Sequence, residues 1–268
     1  WTADGKLART IRKGEVWLLG GVLDPKPDKV TYQLFASGLH EPLGLLRDGN
    51  DLLVTQRTET TRLRDTNGDG VADEYLTAGT GWNVSGAYHG YAYGPKRDGQ
   101  GQLWVTLNLD MGDHTDNKAP WRGWGGVLDK DGKFIPLVAG MRSPCGLGTN
   151  LAGDMFCVDQ QGTWIPTTPI YHLRKGAFFL NPEGIASENR PESPLKLSAK
   201  IPEKLPYPEA VKALPEMRPP AVWMPYNKVG RSGTDLVTCD AGGKFGPYDG
   251  QMFVAEFTDA KISRVFME

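Results

Sequence analysis

Short apolar runs set off by glycine turns recur along the chain. Four segments share one grammar: a glycine turn, a short apolar run, a second glycine turn, then a strand of continuous or alternating apolar residues. Residues 38–45 lead to Leu52-Leu53-Val54-Thr55, and residues 86–91 to Leu103-Trp104-Val105-Thr106. Residues 140–147 lead to Met155-Phe156-Cys157-Val158, and residues 246–250 to Met252-Phe253-Val254-Ala255. The strand starts at 52, 103, 155 and 252 are separated by 51, 52 and 97 residues, the last close to twice 48. A near-constant interval with one slot skipped predicts a β-propeller, because blade repeats run to ~40–50 residues. One blade cannot bury both of its faces, so blades stack about an axis. The expectation is all-β: five to six four-stranded blades in a single domain over 1–268, with room for an incomplete blade at the C-terminus. An irregular sandwich with coincidental glycine-aromatic spacing is the alternative.

The skipped slot differs in composition. Residues 182–220 hold nine of the twenty prolines. Proline cannot donate to a sheet ladder, so this stretch predicts a long surface excursion with at most one short helix near 208–214. It would either cover a mouth of the propeller or wrap its outside.

Charge and cysteine content narrow the function classes. Thirty Lys and Arg against thirty-two Asp and Glu leave a formal net charge of −2. That balance excludes a nucleic-acid binder acting through overall charge and gives no reason to expect an anionic membrane partner. No stretch approaches the ~18 consecutive apolar residues of a spanning helix, so no membrane insertion is expected. Thirty-four glycines with eight tryptophans fit many short strands and tight turns rather than disorder. Cys145, Cys157 and Cys239 are too few for a disulfide framework, and no CxxC occurs. The absence of GxSxG, Walker and HExxH motifs removes the commonest hydrolase and nucleotide readings.

The most specific local motif is Asp65-Thr66-Asn67-Gly68-Asp69-Gly70-Val71-Ala72-Asp73-Glu74. Oxygen side chains at its first, third, fifth and ninth positions, with glycine at the sixth, match the first part of an EF-hand calcium loop. The twelfth position is Leu76, so Asp73 or Glu74 would close a shell begun by Asp65, Asn67, Asp69 and the Val71 carbonyl. Calcium here would staple a hairpin rather than do chemistry. A metal-free Asn-Gly/Asp-Gly turn is the alternative.

Longer motifs carry a resemblance. Residues 36–45 followed by Leu53-Val54-Thr55-Gln56-Arg57 resemble the opening "GL-x-x-P-x-x-L … LVTER" blade of the soluble glucose/sorbosone dehydrogenase family. Residues 89–95 with 101–106, 141–147, and 219–223 with 246–254 resemble its "H-x-x-G … FGPDG-x-LYVT", "RNPQGL" and "P-x-x-W … LFVG" segments. The likeness covers most of 34–267. Residues 62–66 and 161–166 extend it to the planctomycete-type dehydrogenase-like variant, whose members are often fused to a haem domain. The resemblance implies a six-bladed propeller, pyrroloquinoline quinone held with calcium in the axial mouth, and oxidation of a sugar C1 hydroxyl or an aldehyde in a periplasmic or secreted protein. A haem domain or other electron acceptor would be the partner.

Carried over by motif, His89 would be the base that takes the hydroxyl proton as hydride moves to the quinone; imidazole titrates near working pH. Arg142 would hold the quinone oxygens and stabilise charge developing there. Gln56 and Arg57 would lie at the mouth of the first matched blade, near the cofactor. Ser143 and Cys145 replace the family's polar pair in "RNPQ". Two further classes stay open: a non-catalytic propeller binding carbohydrate or protein, and a metal-dependent hydrolase or lactonase.

Other candidates have plainer readings. His40 is expected to be exposed and His172 to be a structural strand residue. Asp113, His114 and Asp116 form a candidate chelating loop. Trp121-Arg122-Gly123-Trp124 would stack on a sugar ring or plug the space between blades. Cys145 and Cys157 would pair or pack, and Cys145 near Arg142 would favour a thiolate.

Overall fold

Five antiparallel sheets follow one another along the chain, each strand hydrogen-bonded to its sequence neighbour. The computed structural model describes residues 1–84, 86–111, 119–162 and 164–267. Blade one is β1 (Leu7–Ile11), β2 (Glu15–Gly20) and β3 (Thr31–Ala36). Blade two is β4 (Gly44–Asp48), β5 (Asp51–Thr55), β6 (Thr60–Arg64) and β7 (Glu74–Gly79). Blade three is β8 (Ala92–Arg97), β9 (Leu103–Leu107), β10 (Gly125–Leu128) and β11 (Phe134–Val138). Blade four is β12 (Gly146–Thr149), β13 (Met155–Val158), β14 (Thr167–His172) and β15 (Val222–Pro225). Blade five is β16 (Gly233–Thr238), β17 (Met252–Glu256) and β18 (Lys261–Val265). The fold is thus a five-bladed β-propeller whose first and last blades have three strands.

The four predicted strands are β5, β9, β13 and β17, the second strand of blades two to five. In blades two to four these strands are buried on both faces nearly throughout, because a blade packs on either side. Their sequences are correspondingly continuous in apolar residues, as expected of doubly covered strands. In β2 and β17 burial alternates instead, with one face packed and one half-exposed. Val16, Leu18 and Phe35 pack with Leu52, Val54 and Leu63 between blades one and two. Phe156, Val158, Ile170 and Met224 meet Leu236, Met252 and Val254 between blades four and five.

The first strands β4, β8, β12 and β16 line the axis, where there is little room. A Cβ on Gly44 would stand 1.6 Å from the carbonyl oxygen of Gly94, so the two strands approach there backbone to backbone.

The long interval before β17 is an insertion, not a missing blade: β14 and β15 pair with each other across residues 173–221. This excursion contains one helix, α1 (Tyr207–Ala213). It first lies on blade three, where Asn181 N–H donates to the Gly140 carbonyl (2.8 Å) and Ser187 Oγ accepts from Trp121 N–H (2.9 Å). It then covers the outer flank of blade four, with Tyr207 edge-on to Trp223 at 4.9 Å. Leu180, Leu195, Ala210, Leu214 and Met217 bury there against Tyr171 and Phe179. These contacts run along blades three and four, on the outside in blade four. Among the described residues, no helix is long and apolar enough to cross a membrane.

Candidate active site at the loop end of the blades

Antiparallel strands alternate in direction, so the connectors entering β4, β8, β12 and β16 emerge at one end of the propeller. The turns that follow β5, β9, β13 and β17 share that end. His40, His89, Arg142, Gln56 and Arg57 all stand on these segments; the Asp65 loop, joining β6 to β7, stands at the other end.

The His89 loop is held from blade two. Arg57 is buried, with Nη1 donating to the Ala87 carbonyl (3.0 Å) and Nη2 to the Tyr88 carbonyl (2.5 Å). Its Nε pairs with Glu41, which also binds Arg12 Nε at 2.7 Å. Burial works to raise the Glu41 pKa, yet the two guanidiniums prevail and hold it below the ordinary carboxylate range. The Arg57 guanidinium also lies 4.4 Å from the centre of the Tyr91 ring, and Trp82 Nε1 donates to the Arg57 carbonyl at 2.9 Å. Gln56 is engaged as well: Oε1 accepts from His40 N–H (2.5 Å) and Nε2 donates to Thr61 Oγ1 (2.7 Å). Both side chains therefore brace the loops of this end. His89 itself is half-buried, its Nδ1 covered and without a hydrogen-bond partner. Its ring stands edge-on to Tyr88 at 5.0 Å.

Backbone bonds lace this loop to the one bearing Arg142. Asn108 N–H donates to the Tyr91 carbonyl (3.0 Å), and Leu109 N–H to the Arg142 carbonyl (2.8 Å). The Arg142 turn is clasped by Asp159, at the end of β13. Its carboxylate accepts from the N–H groups of Arg142 (2.8 Å), Ser143 (2.6 Å) and Gln160 (2.8 Å). Burial pushes the Asp159 pKa up to about 7, against those donors and the Arg142 charge. Among the described residues the Arg142 guanidinium makes no side-chain hydrogen bond or ion pair.

Cys145 corrects an expectation. Burial and the neighbouring Asp159 push its thiol up to about 12, and Sγ donates to the Gly233 carbonyl at 2.7 Å. It is a neutral structural thiol, not a thiolate. Cys145 and Cys157 are unpaired, Cys157 being wholly buried in the core.

The Trp-Arg-Gly-Trp segment is a plug. Trp121 and Trp124 are buried and meet edge to face at 5.2 Å. Arg122 donates to the carbonyls of Tyr91 (3.0 Å) and Asn83 (2.5 Å). His40 is exposed, and His172 stacks on Phe156 at 4.6 Å at the far end of β14, both as expected.

These geometries carry family motifs, and the comparisons bear on which family. Residues 22–204 match the family described as "Domain of unknown function (DUF7133)". The chain belongs to this family. No curated protein matches it. Solved propellers share the fold at low identity. A glucose dehydrogenase superposes with a TM-score of 0.68 at 15% identity, covering 100% of this chain and 81% of its own. The holo PQQ domain of pyranose dehydrogenase from Coprinopsis cinerea gives 0.63 at 11% identity, covering 95% and 69%. The PQQ-bound aldose sugar dehydrogenase from Streptomyces coelicolor gives 0.63 at 11%, covering 99% and 75%.

In this DUF7133 chain the Asp65 loop is wound on its own amides. Asp65 accepts from Gly68 and Gly70 N–H (2.7 and 2.8 Å), and Asn67 Oδ1 from Asp69 N–H (2.8 Å). Asp69 caps Val71 N–H (2.8 Å), Asp73 binds Thr66, and Glu74 pairs with Arg64 at 3.3 Å. Among the described residues no three His, Cys, Asp or Glu side chains gather as a metal site. Asp113, His114 and Asp116 lie outside the described residues. Sequence reasoning missed Asp159 and Glu256. The available signal was a carboxylate closing each apolar run, in Met155-Phe156-Cys157-Val158-Asp159 and Met252-Phe253-Val254-Ala255-Glu256.

Proposed function

We propose that this protein is a sugar or aldehyde dehydrogenase of the quinone-dependent propeller type, acting in a periplasmic or secreted setting. The observation that carries the reading is a pair of groups on laced loops of one end: the covered, partnerless Nδ1 of His89 and the Arg142 guanidinium, which among the described residues makes no side-chain hydrogen bond or ion pair. An orphaned imidazole nitrogen and an arginine on loops laced together at one end suit an anionic, carbonyl-bearing cofactor such as pyrroloquinoline quinone, which when bound supplies the hydride acceptor. Arg142 would hold its oxygens, and the fork of the guanidinium suits carboxylate and carbonyl alike. His89 would take the substrate hydroxyl proton on Nε2, which has no hydrogen-bond partner among the described residues. Arg57 would keep His89 in place through the Ala87 and Tyr88 carbonyls, and Asp159 would do the same for Arg142. The test is dye-linked oxidation of aldoses and aldehydes after loading with the quinone and calcium. Activity is expected, and H89A should lower kcat by about 10²–10⁴-fold. No turnover together with no optical change on quinone addition overturns the reading.

Calcium at the Asp65 loop is a separate part of the proposal, supported by the alternating oxygens of Asp65, Asn67, Asp69, Asp73 and Glu74 and by the Val71 carbonyl. As arranged, Asp65, Asn67, Asp69 and Asp73 face loop amides and Glu74 faces Arg64, so binding requires them to turn to a common centre. Millimolar calcium should raise the Tm of the wild type and leave D65A/D69A unchanged; an unmoved wild-type Tm removes this part.

A further inference from the structure

The turn that presents Arg142 has a counterpart in the next blade. Arg142-Ser143 enters β12 and Arg231-Ser232 enters β16, both at the loop end. In each blade a carboxylate ending the second strand takes the two successive N–H groups of the Arg-Ser pair. Asp159 does so at 2.8 and 2.6 Å, and Glu256 at 3.2 and 2.7 Å. Glu256 also accepts from the N–H groups of Thr258 (3.1 Å) and Asp259 (2.6 Å). Both carboxylates are thus occupied by backbone donors.

The two turns also touch. Cys145 Sγ donates to the Gly233 carbonyl at 2.7 Å, so each arginine leaves the chain within three residues of a shared contact. Neither guanidinium is used as its turn is. Arg142 has no side-chain partner among the described residues. Arg231 Nε has no hydrogen-bond partner and stands 3.8 Å from Asp259, which is closer to Lys261 at 3.1 Å.

We propose that Arg142 and Arg231 together form a receptor for a dicarboxylate, one guanidinium per carboxylate, across blades four and five. The planar fork of arginine matches a carboxylate in bidentate fashion, and the two clasped, touching turns hold the backbones that carry both forks on adjacent blades. A monocarboxylate engages only one. The inference rests on reading the loop end as the ligand mouth, and it assigns Arg231 to that site.

The test titrates the full chain with succinate and with acetate by ligand-observed NMR. The wild type should prefer succinate, and R142Q and R231Q should each lose about tenfold in succinate affinity while R174Q, at the opposite end, does not. In parallel, phenylglyoxal modification of the wild type is mapped by mass spectrometry; succinate should protect Arg142 and Arg231 but not Arg174. This second measurement needs no variant to fold. Equal affinity of R231Q and wild type, no preference for succinate, or no protection at Arg231 overturns the proposal. A separate titration with pyrroloquinoline quinone scores the dehydrogenase reading. Its failure alongside intact succinate protection removes the quinone and leaves the receptor.

Discussion

Asp159 does two opposed things at once. Its carboxylate is the acceptor that shapes the Arg142 turn, yet burial favours its neutral form and lifts its pKa from 3.8 to about 7. A carboxyl whose folded pKa is raised binds a proton more readily in the native state than in the unfolded chain. Its contribution to stability is therefore largest at low pH, falls as pH rises from about 4 to about 7, and is flat above that. Urea unfolding across pH 4–8 should show this decline, on the order of a few kcal/mol in total, and D159N should flatten it. The asparagine keeps one acceptor for Ser143 and Gln160 but turns an N–H₂ toward Arg142 N–H, so the Arg142 turn should also loosen. A pH profile identical in D159N and wild type would refute the assignment. The sequence shows a carboxylate after the apolar strand but not what it grips, because Ser143 lies 16 residues upstream in the chain.

At the level of strands, burial pattern and sequence agree closely. Leu52-Leu53-Val54, Leu103-Trp104-Val105 and Met155-Phe156-Cys157-Val158 are readable because a strand covered on both faces must be apolar at every position. Blade one was not readable by the same rule. Its strands alternate, as in Glu15-Val16-Trp17-Leu18, and lack the glycine turn grammar. The axial strands pose the tightest steric demand. G44A should cost about 3 kcal/mol or more, since the new methyl meets a backbone carbonyl that no rotamer change can move. G86A, with nothing within 4 Å of its Cβ, is the control and should be near neutral in the same thermal melts. Equal melting points for the two variants would contradict the close approach of β4 and β8.

Across the whole molecule, the chain's own periodicity determined the repeat and the all-β class, and its proline content the excursion with one short helix. Period-two and doubly buried strands write themselves into local sequence, because each position's neighbours in space follow from its place in the strand. What only the tertiary structure decided were contacts made across blades: Arg57 bracing the His89 loop rather than standing free, the Trp121–Trp124 plug, the neutral Cys145 thiol, and the excursion that turns a 97-residue interval into one blade rather than two. Such contacts join residues far apart in sequence, and their energy depends on burial and on which donors remain unpaired. Neither quantity exists until the blades have stacked.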